Sequence, residues 1–131
     1  MQLGEFSILD EAISLNELKL KDVAIEFILV NFETKSAIKI IPFFNTIKSV
    51  ELVSLVNFFV ELGVNIRLDD LLGKLHIVIL KLLLQDNKEQ IIMVNDVGLT
   101  TSSVDFLLSN FNLMKDKIKN KSVLFCPKLI Y

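Results

Sequence analysis

Apolar positions in this chain fall into blocks of two kinds. Ile91 to Val94 run without a break, preceded by Gln90 and followed by Asn95 and Asp96. A strand with no polar alternation has no solvent face, so it fits a sheet covered on both sides. Before it, Leu71 to Leu84 is apolar nearly all round, with Lys74, Lys81 and Gln85 marking its one polar stripe. That pattern predicts a buried helix over about Asp70 to Gln85, with Asp69 as its cap. After it, Thr100 to Asn110 reads as a capped helix with Val104, Leu107, Leu108 and Phe111 apolar, and Ser122 to Cys126 as a last strand ended by Pro127. Helix, strand, helix, strand is the local grammar of an α/β domain with a partial, mainly parallel sheet and flanking helices.

Upstream, Ser49 to Leu62 predicts a helix. Val50, Val53, Val56 and Val60 give it an apolar face that Leu52, Leu55, Phe59 and Leu62 widen, and Gly63 stands where a left-handed C-terminal residue is wanted. Ala37 to Phe44 contains Pro42 and is expected as an edge strand or an extended connector. Between Asp10 and Val30 the apolar positions fit neither period. Ser14 and Glu17 have the form of a capping box, which favours a helix from about Leu15 to Phe32. The competing reading is a strand centred on Ala24 to Phe32. Met1 to Leu9 is a short strand or an irregular lead-in.

The chain of 131 residues is expected to form one domain, and its 52% hydrophobic content excludes disorder. The 14-residue run Leu71 to Leu84 carries Lys74, His76 and Lys81 and falls short of the ~20 apolar residues of a membrane helix, so no membrane association is expected. No basic-then-apolar leader opens the sequence. The single cysteine, Cys126, excludes an internal disulfide and fits a cytoplasmic location. Net charge is −2, but it is unevenly spread: residues 1–33 hold seven acids against two lysines, and the remainder holds twelve bases against nine acids.

Candidate chemistry is sparse. Ligands of open α/β sheets sit beyond the carboxyl ends of the strands, where Asn95 and Asp96 stand. Four apolar residues before a carboxylate form the core of a Walker B strand, but that position holds Asn95. Gly73-Lys74 is followed by Leu75 inside a helix, so the phosphate-cradling loop is missing. His76 is the sole histidine and has no ligand-spaced partner; Cys126 has no activating base. Asp69 and Asp70 are explained as caps, and the hydroxyls of Thr100 to Ser103 lack a base. No catalytic residue is expected, and the chain reads as a non-enzyme. The sharper cluster is Lys115, Lys117, Lys119 and Lys121, four ammonium groups in seven residues. Such a cluster neutralises phosphates without reading sequence.

From about Ser49 onward the chain resembles the Csn-type accessory adaptation proteins of type II-A CRISPR systems, as a short or truncated member. The likeness rests on Glu61-Leu62-Gly63-Val64-Asn65-Ile66 at a helix end, the apolar helix Leu71 to Leu84, the strand Ile91-Ile92-Met93-Val94-Asn95, and Val123-Leu124-Phe125-Cys126-Pro127. Residues 1–48 carry no part of it. The resemblance implies an α/β head related to P-loop ATPases without a working ATPase site, plus a helical segment. It implies a homotetrameric ring that binds double-stranded DNA ends through lysines during spacer acquisition, beside other CRISPR adaptation proteins in antiviral defence. It also implies calcium as a stabilising ion, with no ligand assigned to a numbered residue. Two other functions fit the residues. One is a small protein-interaction module, such as an antitoxin or immunity protein, using Ile38 to Phe44. The other is a degenerate NTPase subunit whose partner supplies the missing loop.

Overall fold

The computed structural model describes residues 3–9, 11–14, 16–17, 25–32, 40–96 and 98–130. Its strands are β1 (Phe6–Ile8), β2 (Ile13–Ser14), β3 (Glu26–Phe32), β4 (Gln90–Asp96), β5 (Lys121–Phe125) and β6 (Leu129–Ile130). Its helices are α1 (Ile40–Asn45), α2 (Ser49–Glu61), α3 (Leu71–Leu84) and α4 (Thr101–Asn112). Four strands form one sheet in the order β1-β5-β4-β3, every pairing parallel, and β2 pairs with β6 in a separate two-residue ladder, also parallel. The fold is α/β.

The unbroken apolar run of β4 is explained by its place. It lies between β3 and β5, with Ile92 and Val94 in a core shared with the helices and Ile91 and Met93 in a second cluster on the other face. Strand β5 divides the same way: Val123 and Phe125 face the helical core, Leu124 and Cys126 the opposite one. From β3 to β4 to β5 the chain steps one strand each time in one direction. Right-handed crossovers then place the intervening helices on the same face. One core accordingly holds Leu55 and Phe59 of α2, Leu75 to Leu80 of α3 except His76, and Val104, Leu107 and Phe111 of α4.

Helix ends follow local chemistry. Asp70, not Asp69, caps α3 by accepting from the Leu72 amide at 3.1 Å. Thr100 caps α4 by accepting from the Ser103 amide at 3.2 Å. Gly63 takes φ +79°, and the amides of Gly63 and Val64 donate to the carbonyls of Val60 and Phe59. This is the Schellman closure that the glycine forecasts. Ser49 is the first helical residue of α2, and Lys48 before it is the cap residue and makes no side-chain capping bond.

Two sequence expectations are corrected. The helix expected over Leu15 to Phe32 is not formed at its carboxyl half: Glu26–Phe32 is β3, paired residue for residue with β4. The Ser14 and Glu17 signature is real but local, with the Glu17 amide donating to Ser14 Oγ at 3.2 Å. Residues 18–24, which the helix would also have covered, lie outside the described residues. What decides β3 is a neighbour: a parallel partner offers seven residues of ladder and apolar contact for both faces of Phe27 to Val30. The stretch from Ile40 to Phe44 is α1, not extended. Pro42 lies in the first turn, where its missing N–H has no intrahelical acceptor to lose. Residues 37–39 lie outside the described residues.

Candidate functional site

The two ends of the sheet hold different groups. At the carboxyl end of β4, Asn95 and Asp96 stand level with Asn31 and Phe32 of β3. Asp96 is buried, and its Oδ1 accepts from the Gly98 amide at 2.9 Å, closing the turn toward α4. The Thr100 hydroxyl is engaged with Ser102 and Ser103 at 3.2 and 3.0 Å while it caps the helix. His76 and Cys126 do not approach these hydroxyls as a base does. His76 Nδ1 lies 2.7 Å from the Leu72 carbonyl, so Nδ1 carries the proton, and Nε2 accepts from Asn110 Nδ2 at 3.0 Å. Phe59, Phe106 and Phe111 surround the ring, with centroids 5.5–5.8 Å away. Burial pushes the imidazole pKa below its ordinary value. A cleft of about 200 Å³ lined by Arg67, Asp70, His76 and Phe106 opens beside it, but both ring nitrogens are already used. Cys126 is buried, and desolvation pushes its thiol up to about 11.

The lysine cluster lies at the other end of the sheet. After α4 the chain makes one more turn, anchored by Met114 and Ile118, which are buried and joined by the Ile118 amide donating to the Met114 carbonyl at 3.0 Å. With those two pinned inward, Lys115, Lys117 and Lys119 are exposed. Lys117 Nζ stands 5.3 Å from the centroid of Phe58 on α2, a cation–π contact that leaves the ammonium beside water. Lys88, on the turn between α3 and β4, is exposed at the same edge. The acids Asp116 and Glu89 are interleaved there.

Lys121 is removed from the cluster. As the first residue of β5 its side chain is 0% exposed, and its Nζ donates to Asp86 Oδ1 at 2.7 Å and to the Lys88 carbonyl at 2.6 Å. Its neighbour Asn120 reaches the carbonyls of Asp86 and Lys88 at 3.4 and 3.2 Å. Lys121 thus fastens the α3–β4 turn to β5 and faces no solvent. The partners Asp86 and Asn110 and the contact residue Phe58 were not singled out by sequence reasoning; each lies more than thirty residues from the group it serves. The last strand was expected to begin at Ser122, whereas β5 begins one residue earlier and takes Lys121 into the sheet.

Of the surface expected at Ile38 to Phe44, Ile40 is fully buried, Phe43 and Phe44 are half-buried against the core and Ile41 is exposed, while Ile38 lies outside the described residues. Gly73 sits inside α3 against the Arg67 backbone, and Lys74 lies over the Phe44 ring, so this pair forms no phosphate loop. Among the described residues no group of three or more His, Cys, Asp or Glu side chains that could hold a metal ion is found. Asp69 is engaged with Arg67 at 3.1 Å, which holds its carboxyl below the usual range. Among the described residues no helix is long and apolar enough to cross a membrane. No family model, no curated protein and no solved structure matches the chain.

Proposed function

We propose that this protein binds duplex DNA without reading its sequence and without catalysis, in the manner of an accessory factor of CRISPR spacer acquisition working as an oligomer. Lys115, Lys117 and Lys119 are the residues that meet phosphate, with Lys88 beside them. The observation that carries this reading is the display of three exposed lysines on a connector whose Met114 and Ile118 are buried. Phosphate contacts need positive charge rather than base-edge geometry, and the three exposed lysines of this connector supply it. Asp96 closes the turn toward α4, His76 is hydrogen-bonded to Leu72 and Asn110, and the Cys126 thiol is buried.

The test is fluorescence anisotropy with linear and circular duplex DNA over a salt series. Linear-selective binding that weakens with salt, and is lost in the Lys115→Ala/Lys117→Ala/Lys119→Ala variant, is the expected result. Unchanged affinity in that variant removes these lysines from the interface. No binding by the parent chain at low salt overturns the DNA reading altogether.

A further inference from the structure

Helix α2 carries an exposed apolar stripe that none of the described residues covers. Val50, Val53 and Val60 are 85%, 60% and 56% exposed, while Leu55 and Phe59 on the opposite side are buried in the core. With Asn57, also exposed, the three valines occupy positions spaced 3, 4 and 3 residues apart, the seam of a helix–helix contact. Isolated exposed apolar residues are ordinary; three valines in one seam are not.

The charges at the ends of this helix identify the occupant. Lys48 stands at the amino end, where the helix dipole disfavours a cation, and Glu61 in the last turn, where it disfavours an anion. Both are exposed, and among the described residues neither forms an ion pair. A second α2 laid antiparallel reverses both errors. Lys48 then meets the carboxyl end of the partner helix and its Glu61, and the exchange occurs twice. In this register Val50 faces the partner's Val60, and Val53 faces the partner's Asn57. A parallel pair would instead set Lys48 against Lys48 and Glu61 against Glu61.

We infer that α2 is a homodimerisation helix that pairs antiparallel with a second copy of this chain. A 13-residue helix is about 20 Å long, a small contact beside a standard interface, so association is concentration-dependent. The two-fold runs perpendicular to the plane of the helix pair. Phe58 and its Lys117 lie on one flank of the stripe, so the flanks of both copies face the same side of the dimer. The pairing itself does not depend on DNA binding.

Sedimentation and light scattering across a concentration series test it, without DNA. A monomer–dimer equilibrium is expected, abolished by Val53→Glu while the monomer stays folded, because Val53 is 60% exposed. Lys48→Glu and Glu61→Lys each weaken the dimer at least several-fold, and the double variant restores it. Oxidation of a Val50→Cys/Val60→Cys double variant crosslinks two copies, whereas Val50→Cys alone does not; buried Cys126 gives no background. A strict monomer at millimolar chain concentration overturns the proposal. So does a dimer indifferent to Val53→Glu and to both charge reversals, and crosslinking by Val50→Cys alone overturns the antiparallel arrangement.

Discussion

The ammonium of Lys121 lies 2.7 Å from Asp86 Oδ1, joining the first residue of β5 to the turn that leads into β4. The lysine is fully buried and the aspartate half-exposed, so one end of the pair is dry and the other reaches water. The contact holds the Asp86 carboxyl below its ordinary pKa, chiefly through the hydrogen bond from Lys121. Removing the lysine strips both Asp86 and the Lys88 carbonyl of a donor and leaves a cavity beneath the turn. Lys121→Ala is expected to lower Tm by roughly 5–10 °C in a thermal melt. Lys121→Met, which refills the volume, is expected to recover part of that loss.

The exposed lysines behave differently. If Lys115, Lys117 and Lys119 each neutralise one phosphate, the triple alanine variant reduces the slope of log K against log salt by about 2.7, at ~0.9 per contact. Its Tm is expected to match the parent chain, since exposed charges contribute little to folding. Lys121→Met is expected to leave the salt slope unchanged. A smaller slope in that variant would return Lys121 to the interface.

His76 makes stability depend on pH in a window separate from that of the carboxylates. Its folded pKa is depressed by burial, so the neutral ring contributes stability that is present above the unfolded pKa of about 6.5. As pH falls below that value the unfolded chain takes up a proton that the folded chain refuses, and stability is lost. Protonation also opposes the Asn110 contact, because Nε2 accepts there. Chemical denaturation at pH 7.5 and 5.5 is expected to show a drop that is absent in His76→Phe. Asp86, whose folded pKa is also depressed, loses its contribution only below its unfolded value of about 3.8.

Gly73 and Gly63 separate two glycine requirements. A Cβ on Gly73 would stand 1.8 Å from the Arg67 carbonyl oxygen, so the 64–68 link must move away from α3 to admit alanine. Gly63 has open space around it but a left-handed φ. Gly63→Ala is expected to cost about 1 kcal/mol. Gly73→Ala is expected to cost more, roughly 2–3 kcal/mol. Urea midpoints of the two variants decide the order.

Cys126 is expected to resist thiol reagents. It is 1% exposed, and its pKa of about 11 leaves little thiolate at pH 8. Labelling by an aromatic disulfide should follow global unfolding, with a rate that rises with urea as unfolding does. Rapid labelling in buffer would mean that the far face of β5 opens locally.

The sequence by itself determined those features whose cause is local or repeats along one element. Ile91 to Val94 announce a strand covered on both faces, Leu71 to Leu84 a buried helix, and Gly63 the end of α2, because burial, periodicity and backbone freedom are written residue by residue. The α/β class follows from the order of those elements. The inward fate of His76 and Cys126 was legible too, since neither had a chemical partner within spacing. Only the tertiary structure decided where distant segments meet. Glu26–Phe32 is a strand because β4 lies beside it, and half-buried apolar residues on both of its faces leave no clear period. Pro42 is tolerated in α1 because it falls in the first turn, a boundary that the apolar run does not mark. Lys121 looks like its three neighbours in sequence and is withdrawn from them by Asp86, thirty-five residues away. A lysine's charge is intrinsic, but whether it is offered to a partner or spent inside the fold is settled by the groups that tertiary contact brings within reach.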